Sequence, residues 1–241
     1  MRLLGQKKRR QFWGIFWAWL LLASLPAAVS MAQENGVLWV DRFTKGVNAE
    51  GIPVGWILEK SLDSNSKIAI EGEKEKNFVR MLSVGDGFGL RKDMSFKIHE
   101  YPYLSWRWRV SKLPRGGDIR KRETDDQAGQ IYVLFPKVPA IFNTLAVGFI
   151  WDSQAPVGLY GTSTAYNRMR YVVQQSGPAN LDQWISETRN VYEDYKRLFH
   201  GEPPTVGGVL LYINSQHTKS SAECSYADIF FSARPPETPN K

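Results

Sequence analysis

Two tryptophans and two arginines interleave in Leu104–Val110 (LSWRWRV), the most distinctive chemistry in the chain. At the two-residue period of a strand, Trp106, Trp108 and Val110 take one face and Arg107 and Arg109 the other. Guanidinium groups present planar, paired donors to carboxylates, phosphates and hydroxyl-rich ligands. Two of them on one face of a central strand are costly without partners, so the pattern predicts neighbouring carboxylates or a bound ligand.

Asp125 and Asp126 precede the alternating run Gln130–Phe135, in which Tyr132 lies opposite Ile131 and Val133. Paired carboxylates can divide acid and base work when their surroundings separate their pKa values. Adjacent residues of an extended chain point to opposite faces, however, so an Asp–Arg structural bridge with Arg107 or Arg109 is the expectation. The D-x-D-x-D-G loop and late glutamate of a calcium site are missing. In Tyr166–Gln174, Tyr166, Arg168 and Arg170 share one face, opposite Tyr171 and Val173. With Arg107, Arg109 and Tyr132 they predict a basic–aromatic surface across neighbouring strands, suited to the apolar faces and hydroxyls of sugars. Asp228, alternating with Tyr226 and Phe230, is the expected counter-charge for the arginines. His217 lies among Ser215, Thr218, Ser220 and Ser221 without a G-x-S-x-G motif, and the stretch reads as a loop.

The elements that must position these residues are short β-type runs separated by turns, at Val37–Phe43, Lys67–Ile70, Phe78–Val84, Leu104–Val110, Gln130–Phe135, Ala146–Trp151, Tyr166–Gln174, Gly208–Asn214 and Tyr226–Ser232. A parallel α/β fold would need helices between them, and these are missing. One helix is signalled: Asn190 and Glu193 form a capping box, Val191, Tyr192, Tyr195, Leu198 and Phe199 share a face, and Gly201 before Pro203 is the expected left-handed stop. The charged, non-periodic Ser111–Ala128 is the longest loop.

The chain has 241 residues, a net charge of +7 and a pI near 9.4. Arg2, Lys7, Lys8, Arg9 and Arg10 supply much of that basicity, and no acidic residue precedes Glu34, so the remainder is close to neutral. The apolar Phe12–Leu25 and the small residues around Ser30-Met31-Ala32 complete the pattern of a secretory signal peptide cleaved before Gln33; an uncleaved anchor is the alternative. One cysteine, Cys224, excludes an internal disulfide and a cysteine-based zinc cluster, and it reads as a small, partly buried residue. His99, His200 and His217 are scattered without metal-ligand spacing. Export argues against nucleic acid as partner, although basic and aromatic residues together also suit it.

Leu104–Val110, the stretch Asp125–Phe135 (DDQAGQIYVLF), Val191–Tyr195 (VYEDY) and Tyr226–Ile229 (YADI) together resemble an uncharacterised family of exported bacterial proteins, domain-of-unknown-function family 3047. The resemblance spans about Phe43 to Phe231. It implies one exported, mainly β domain and supplies no substrate. Where many relatives carry an acidic, threonine-rich segment, this chain reads Asn214-Ser215-Gln216-His217-Thr218, so two potential carboxylate ligands are absent.

The sequence thus predicts a signal peptide (1–32), a single antiparallel β-sandwich of jelly-roll type with one short helix (33–232) and a tail (233–241). The expected function is a periplasmic or secreted, non-catalytic module that binds a carbohydrate or other polyhydroxylated or anionic ligand. Its expected contacts are Arg107, Arg109, Asp125, Asp126, Tyr132, Tyr166, Arg168, Arg170 and Asp228. No metal or cofactor is expected, and the membrane enters only through an uncleaved signal peptide. A glycan hydrolase or lyase using the paired carboxylates, and a structural envelope protein, are the alternatives.

Overall fold

A computed structural model describes residues 36–72, 76–139 and 143–237. The signal-peptide segment lies outside the described residues.

Alternation along β6 (Tyr103–Lys112) sets the architecture. Trp106, Trp108 and Val110 are buried and turn inward, while Arg107 and Arg109 are half-buried on the outer face. Opposite them across the interior stand Phe149 and Trp151 of β8 (Leu145–Asp152). Trp106 stacks on Phe149 with ring centroids 5.4 Å apart, and Trp108 meets Trp151 at 5.7 Å. Aromatic burial of this kind dominates a core's energetics.

The first sheet runs β11 (Ile185–Asn190), β6, β13 (Ser221–Ser232), β4 (Phe78–Val84), β3 (Lys67–Glu71), and β1 (Val37–Asp41) pairs with the far half of β13. The second runs β2 (Ile57–Leu58), β5 (Gly87–Phe96), β12 (Val206–Asn214), β7 (Gly129–Phe135), β8, β10 (Met169–Ser176), β9 (Tyr160–Thr162). Every pairing is antiparallel except β8 with β10. The chain crosses between sheets at each of the steps β4–β5, β5–β6, β6–β7 and β12–β13, which makes a jelly-roll-type sandwich. Tyr226 ties the layers together: its hydroxyl accepts from Gln130 N–H (2.6 Å) and donates to the Gln130 carbonyl (3.0 Å).

Helix α1 (Val191–Phe199) forms where the caps predict it, with Asn190 Oδ1 accepting the Glu193 N–H at 3.1 Å. Val191, Tyr195 and Leu198 enter the core, with Tyr192 and Phe199 packed at its margin. The left-handed stop is His200 (φ 55°) rather than Gly201, its N–H bonded to the Lys196 carbonyl. Strands β5 and β11 were not expected. Gly85-Asp86-Gly87 has the composition of a turn, but Gly87 and Gly89 lie inside β5, where neighbouring side chains take the space of a Cβ. Tyr166 and Arg168 fall in the loop before β10 rather than within it. Cys224 is fully buried, which raises its thiol pKa. Among the described residues, no helix is long and apolar enough to cross a membrane.

Candidate functional site

The expected contacts divide between two opposite surfaces. Arg107, Arg109 and Asp228 stand on the outer face of the first sheet, whereas Asp125, Asp126 and Tyr132 belong to the second sheet and the loops at one end of it. The single basic–aromatic surface is therefore not formed, because β6 and β10 lie in different sheets. Arg170 turns away toward α1, its guanidinium 5.0 Å from the Phe199 ring and bonded to the Asn167 carbonyl. The Tyr166 hydroxyl reaches the Thr144 carbonyl, and the Arg168 carbonyl accepts the Ala146 N–H.

Strand β7 is buried on both sides. Its Ile131, Val133 and Phe135 face the core; Gln130, Tyr132 and Leu134 face outward and are buried there too. Glycines on neighbouring strands make this possible. The Tyr132 ring lies against Gly148 of β8, where a Cβ would overlap it. On β12, Leu210 and Tyr212 lie over Gly89 of β5, where a Cβ would stand 2.7 and 3.0 Å from their side chains. Tyr171 of β10 sits over Gly161 of β9 in the same way, at 2.9 Å. Large side chains packed over glycines pave the outer face of the second sheet.

A series of neutral hydrogen bonds runs across this paving. Tyr132 donates to Gln130 Oε1 (2.6 Å), Gln130 Nε2 donates to Asn214 Oδ1 (2.8 Å), and Asn214 Nδ2 donates to the Asp125 carbonyl (2.6 Å). The Asp125 carboxylate accepts from Gln127 Nε2 (3.1 Å) and from the hydroxyl of the exposed Thr164 (3.0 Å). Burial pushes its pKa up, the Gln127 and Thr164 bonds only partly opposing that. Among the described residues no cation lies within ion-pair distance of it, whereas Asp86, Asp118 and Asp194 are each paired with lysine or arginine.

Asp126 takes the opposite course. Its carboxylate accepts from His217 N–H and Nδ1 (3.2 and 3.0 Å) and from Thr218 N–H and Oγ1 (2.7 and 2.8 Å). Burial alone would raise its pKa, but these bonds together hold it below the ordinary value, and the same contact raises that of His217. The expected Asp–Arg bridge is replaced by this latch between the β6–β7 and β12–β13 loops, which meet at one end of the sandwich. Asp125 and Asp126 therefore face different surroundings, and Asp126 is already engaged by four bonds. Sequence reasoning saw His217 but took it for a loop residue; Gln127, Gln130, Tyr212 and Asn214 carried no signal beyond alternation.

On the first sheet Arg107 pairs with Asp228, Nη1 to Oδ2 at 3.0 Å. Strand parity puts Asp228 on the Tyr226 side, which is the core side. A bulge between Ala227 and Phe230, with Asp228 at φ 49°, turns its carboxylate out to the arginine. Trp184, in the loop before β11, lies over this face. Its ring stands 5.0 Å from both the Arg107 and the Arg109 guanidinium and 5.3 Å edge-on from Phe78 of β4.

Two packed sheets with one paved and one charged outer face define a β-sandwich of the jelly-roll class. The chain belongs to the DUF3047 family of proteins of unknown function, whose model matches residues 55–230. No curated protein matches it. Among solved structures, the family 11 carbohydrate-binding module of the cellulosomal cellulase Lic26A-Cel5E of Clostridium thermocellum is similar at 9% identity, with 85% of this chain and 99% of that one covered and a TM-score of 0.44. A family 30 carbohydrate-binding module is similar at 8%, covering 76% and 80%, with a TM-score of 0.42. The xyloglucanase domain of NopAA from Sinorhizobium fredii is similar at 10%, covering 75% and 94%, also at 0.42.

Proposed function

We propose that this protein is a non-catalytic binding module for a carbohydrate, held on the outer face of the second sheet. One observation carries the reading: Asp125 is a buried carboxylate joined only to neutral donors, at the end of a tyrosine–glutamine–asparagine series that borders an aromatic floor. Sugar hydroxyls donate as well as accept, and the Asp125 carboxylate, with one donor on each oxygen, keeps further lone pairs to accept from them. The apolar face of a sugar ring suits the half-buried Tyr212. A carboxylate whose pKa burial raises, at the margin of such a face, is a candidate ligand-binding group. A hydrolase would need a second available carboxylate, and the bonds to Asp126 favour binding over that alternative. The basic and apolar N-terminal segment supports an exported protein, in the periplasm or outside the cell.

Calorimetric titration of the purified protein with neutral hexasaccharides of glucose, xylose and mannose tests this. Binding without cleavage products, weakened about tenfold or more by Asp125→Ala, is expected, since a hydrogen bond to a charged group carries roughly that much. A protein that ignores all three sugars, or an Asp125→Ala variant that binds as well as the parent, would overturn the proposal.

A further inference from the structure

The first sheet's outer face holds a second, independent feature. Arg107 and Arg109 project from the same strand, two residues apart, and both meet Trp184 at the same distance, 5.0 Å. Their charges are treated differently. Arg107 has the Asp228 carboxylate at 3.0 Å. Among the described residues, no carboxylate stands within 4.0 Å of Arg109, and its Nε is buried without a hydrogen-bond partner.

Directly across the ladder, Ser225 of β13 is the register partner of Arg109. Its Oγ is likewise buried and without a partner. Two unsatisfied polar groups on adjacent strands, at one register position and on one face, are unusual, because each has given up its hydration without a hydrogen bond in return. Neither can satisfy the other as they stand, but one acceptor placed between them would satisfy both. Trp184 and Phe78 close over the position, the Phe78 ring 5.3 Å from the Arg109 guanidinium, so an entering group displaces the indole edge.

The geometry points to a binding site for a carboxylate at Arg109 and Ser225, gated by Trp184. Arg107 shows what fits: on the same strand and against the same indole, its partner is a planar carboxylate supplied by the chain itself. At Arg109 the equivalent carboxylate comes from outside. One oxygen accepts the Nε–H of Arg109 and the other accepts the Ser225 hydroxyl, in the manner of charge-assisted pairs. The carboxylate could belong to a uronic acid within a glycan or to a free small acid. The site lies on the opposite sheet from the proposed neutral-sugar face and does not depend on it.

The test titrates the purified protein with trigalacturonate, acetate and sulfate in turn, following tryptophan fluorescence and heat. Saturable binding of trigalacturonate is expected, lowered about tenfold or more by Arg109→Gln and several-fold by Ser225→Ala, with far-ultraviolet dichroism unchanged. Neutral hexasaccharide binding should be untouched in both variants, which separates this site from the Asp125 face. Trp184→Phe should remove the ligand-dependent fluorescence change. Binding of acetate as tight as that of trigalacturonate supports the carboxylate site and assigns a free small acid as its ligand. Equal binding of sulfate, no binding of either carboxylate, or an Arg109→Gln variant with parental affinity would overturn the assignment.

Discussion

The outer faces of the two sheets solve one problem in different ways, since both lie where a β-sandwich has no third layer to cover them. On the second sheet, Tyr132, Leu134, Ala146 and Leu210 are buried by lying on one another and on glycines. The polar groups among them form a closed series from Tyr132 to Asp125. On the first sheet, Ser225 and Ala227 are buried beside Arg109 and Arg107, and Trp184 reaches across from beyond the edge strand to both arginines and Phe78. There the charges stay, held against an indole and one bulged aspartate. Side chains packed over glycines on one face bond to one another, whereas beside Trp184 and Phe78 on the other Arg109 Nε and Ser225 Oγ stay without partners. That contrast separates a face whose polar side chains are bonded to one another from a face that leaves two of them without partners.

Gly148→Ala should break the contrast most severely. The new methyl would collide with the Tyr132 ring, lifting it from the sheet and breaking its bond to Gln130. Overpacking in a filled site costs about 1–3 kcal/mol, and the upper end is expected here because a strand backbone cannot yield. A fall in the urea midpoint at unchanged slope would show it. If the substitution is neutral, the ring does not need its glycine.

The latch at the shared loop end gives a smaller, pH-dependent effect. The pKa of His217 is raised in the folded state by Asp126, so its contribution is fully present below the ordinary histidine value, about 6.5, and is lost as pH rises through the folded value. The pKa of Asp126 is lowered, so its contribution is present above the ordinary carboxylate value, about 3.9, and is lost as pH falls through the folded value. Both act between roughly pH 4 and 6.5. His217→Gln should cost about 1–2 kcal/mol at pH 6 and less at pH 8.5. Chemical denaturation at the two pH values checks this, and an equal loss at both would mean that the ring's charge plays no part.

How much could be read beforehand depended on whether local alternation matched tertiary environment. It did for β6, where tryptophan and arginine separate cleanly into core and surface, and for the Asn190 cap of α1. It failed for β5, since GDGFG has the composition of a turn and its glycines are selected by the rings that lie over them. It failed for β11, an edge strand (ISETRN) with no apolar period. Asp125 and Asp126 were visible as chemistry but not as partners, because Thr164, His217 and Thr218 come from loops distant in sequence. Trp184 carried no signal at all: its role depends on which strands lie between it and Phe78.

Asp228 meets Arg107 as expected, but only by breaking strand parity, and it is where the smallest effect should appear. Its left-handed backbone is strained by about 1 kcal/mol for a residue with a Cβ and is kept by the Ala227–Phe230 bulge. Its ion pair with Arg107 is half-exposed, both side chains open to solvent, so it contributes only about 0–1 kcal/mol. Asp228→Gly removes the pair but relieves the backbone, and the two should nearly cancel. Asp228→Ala removes the pair and keeps the strain, so it should be less stable than the glycine variant by about 1 kcal/mol. Thermal melts of the two variants side by side measure that gap. Equal stabilities would mean that the bulge costs nothing. Either variant also frees Arg107, which then stands against the indole without a carboxylate, as Arg109 does. Its ladder partner is Ala227, which offers no hydroxyl where Arg109 has Ser225, so trigalacturonate should still bind at one position, and a second bound equivalent would mean that the Ser225 hydroxyl is not needed.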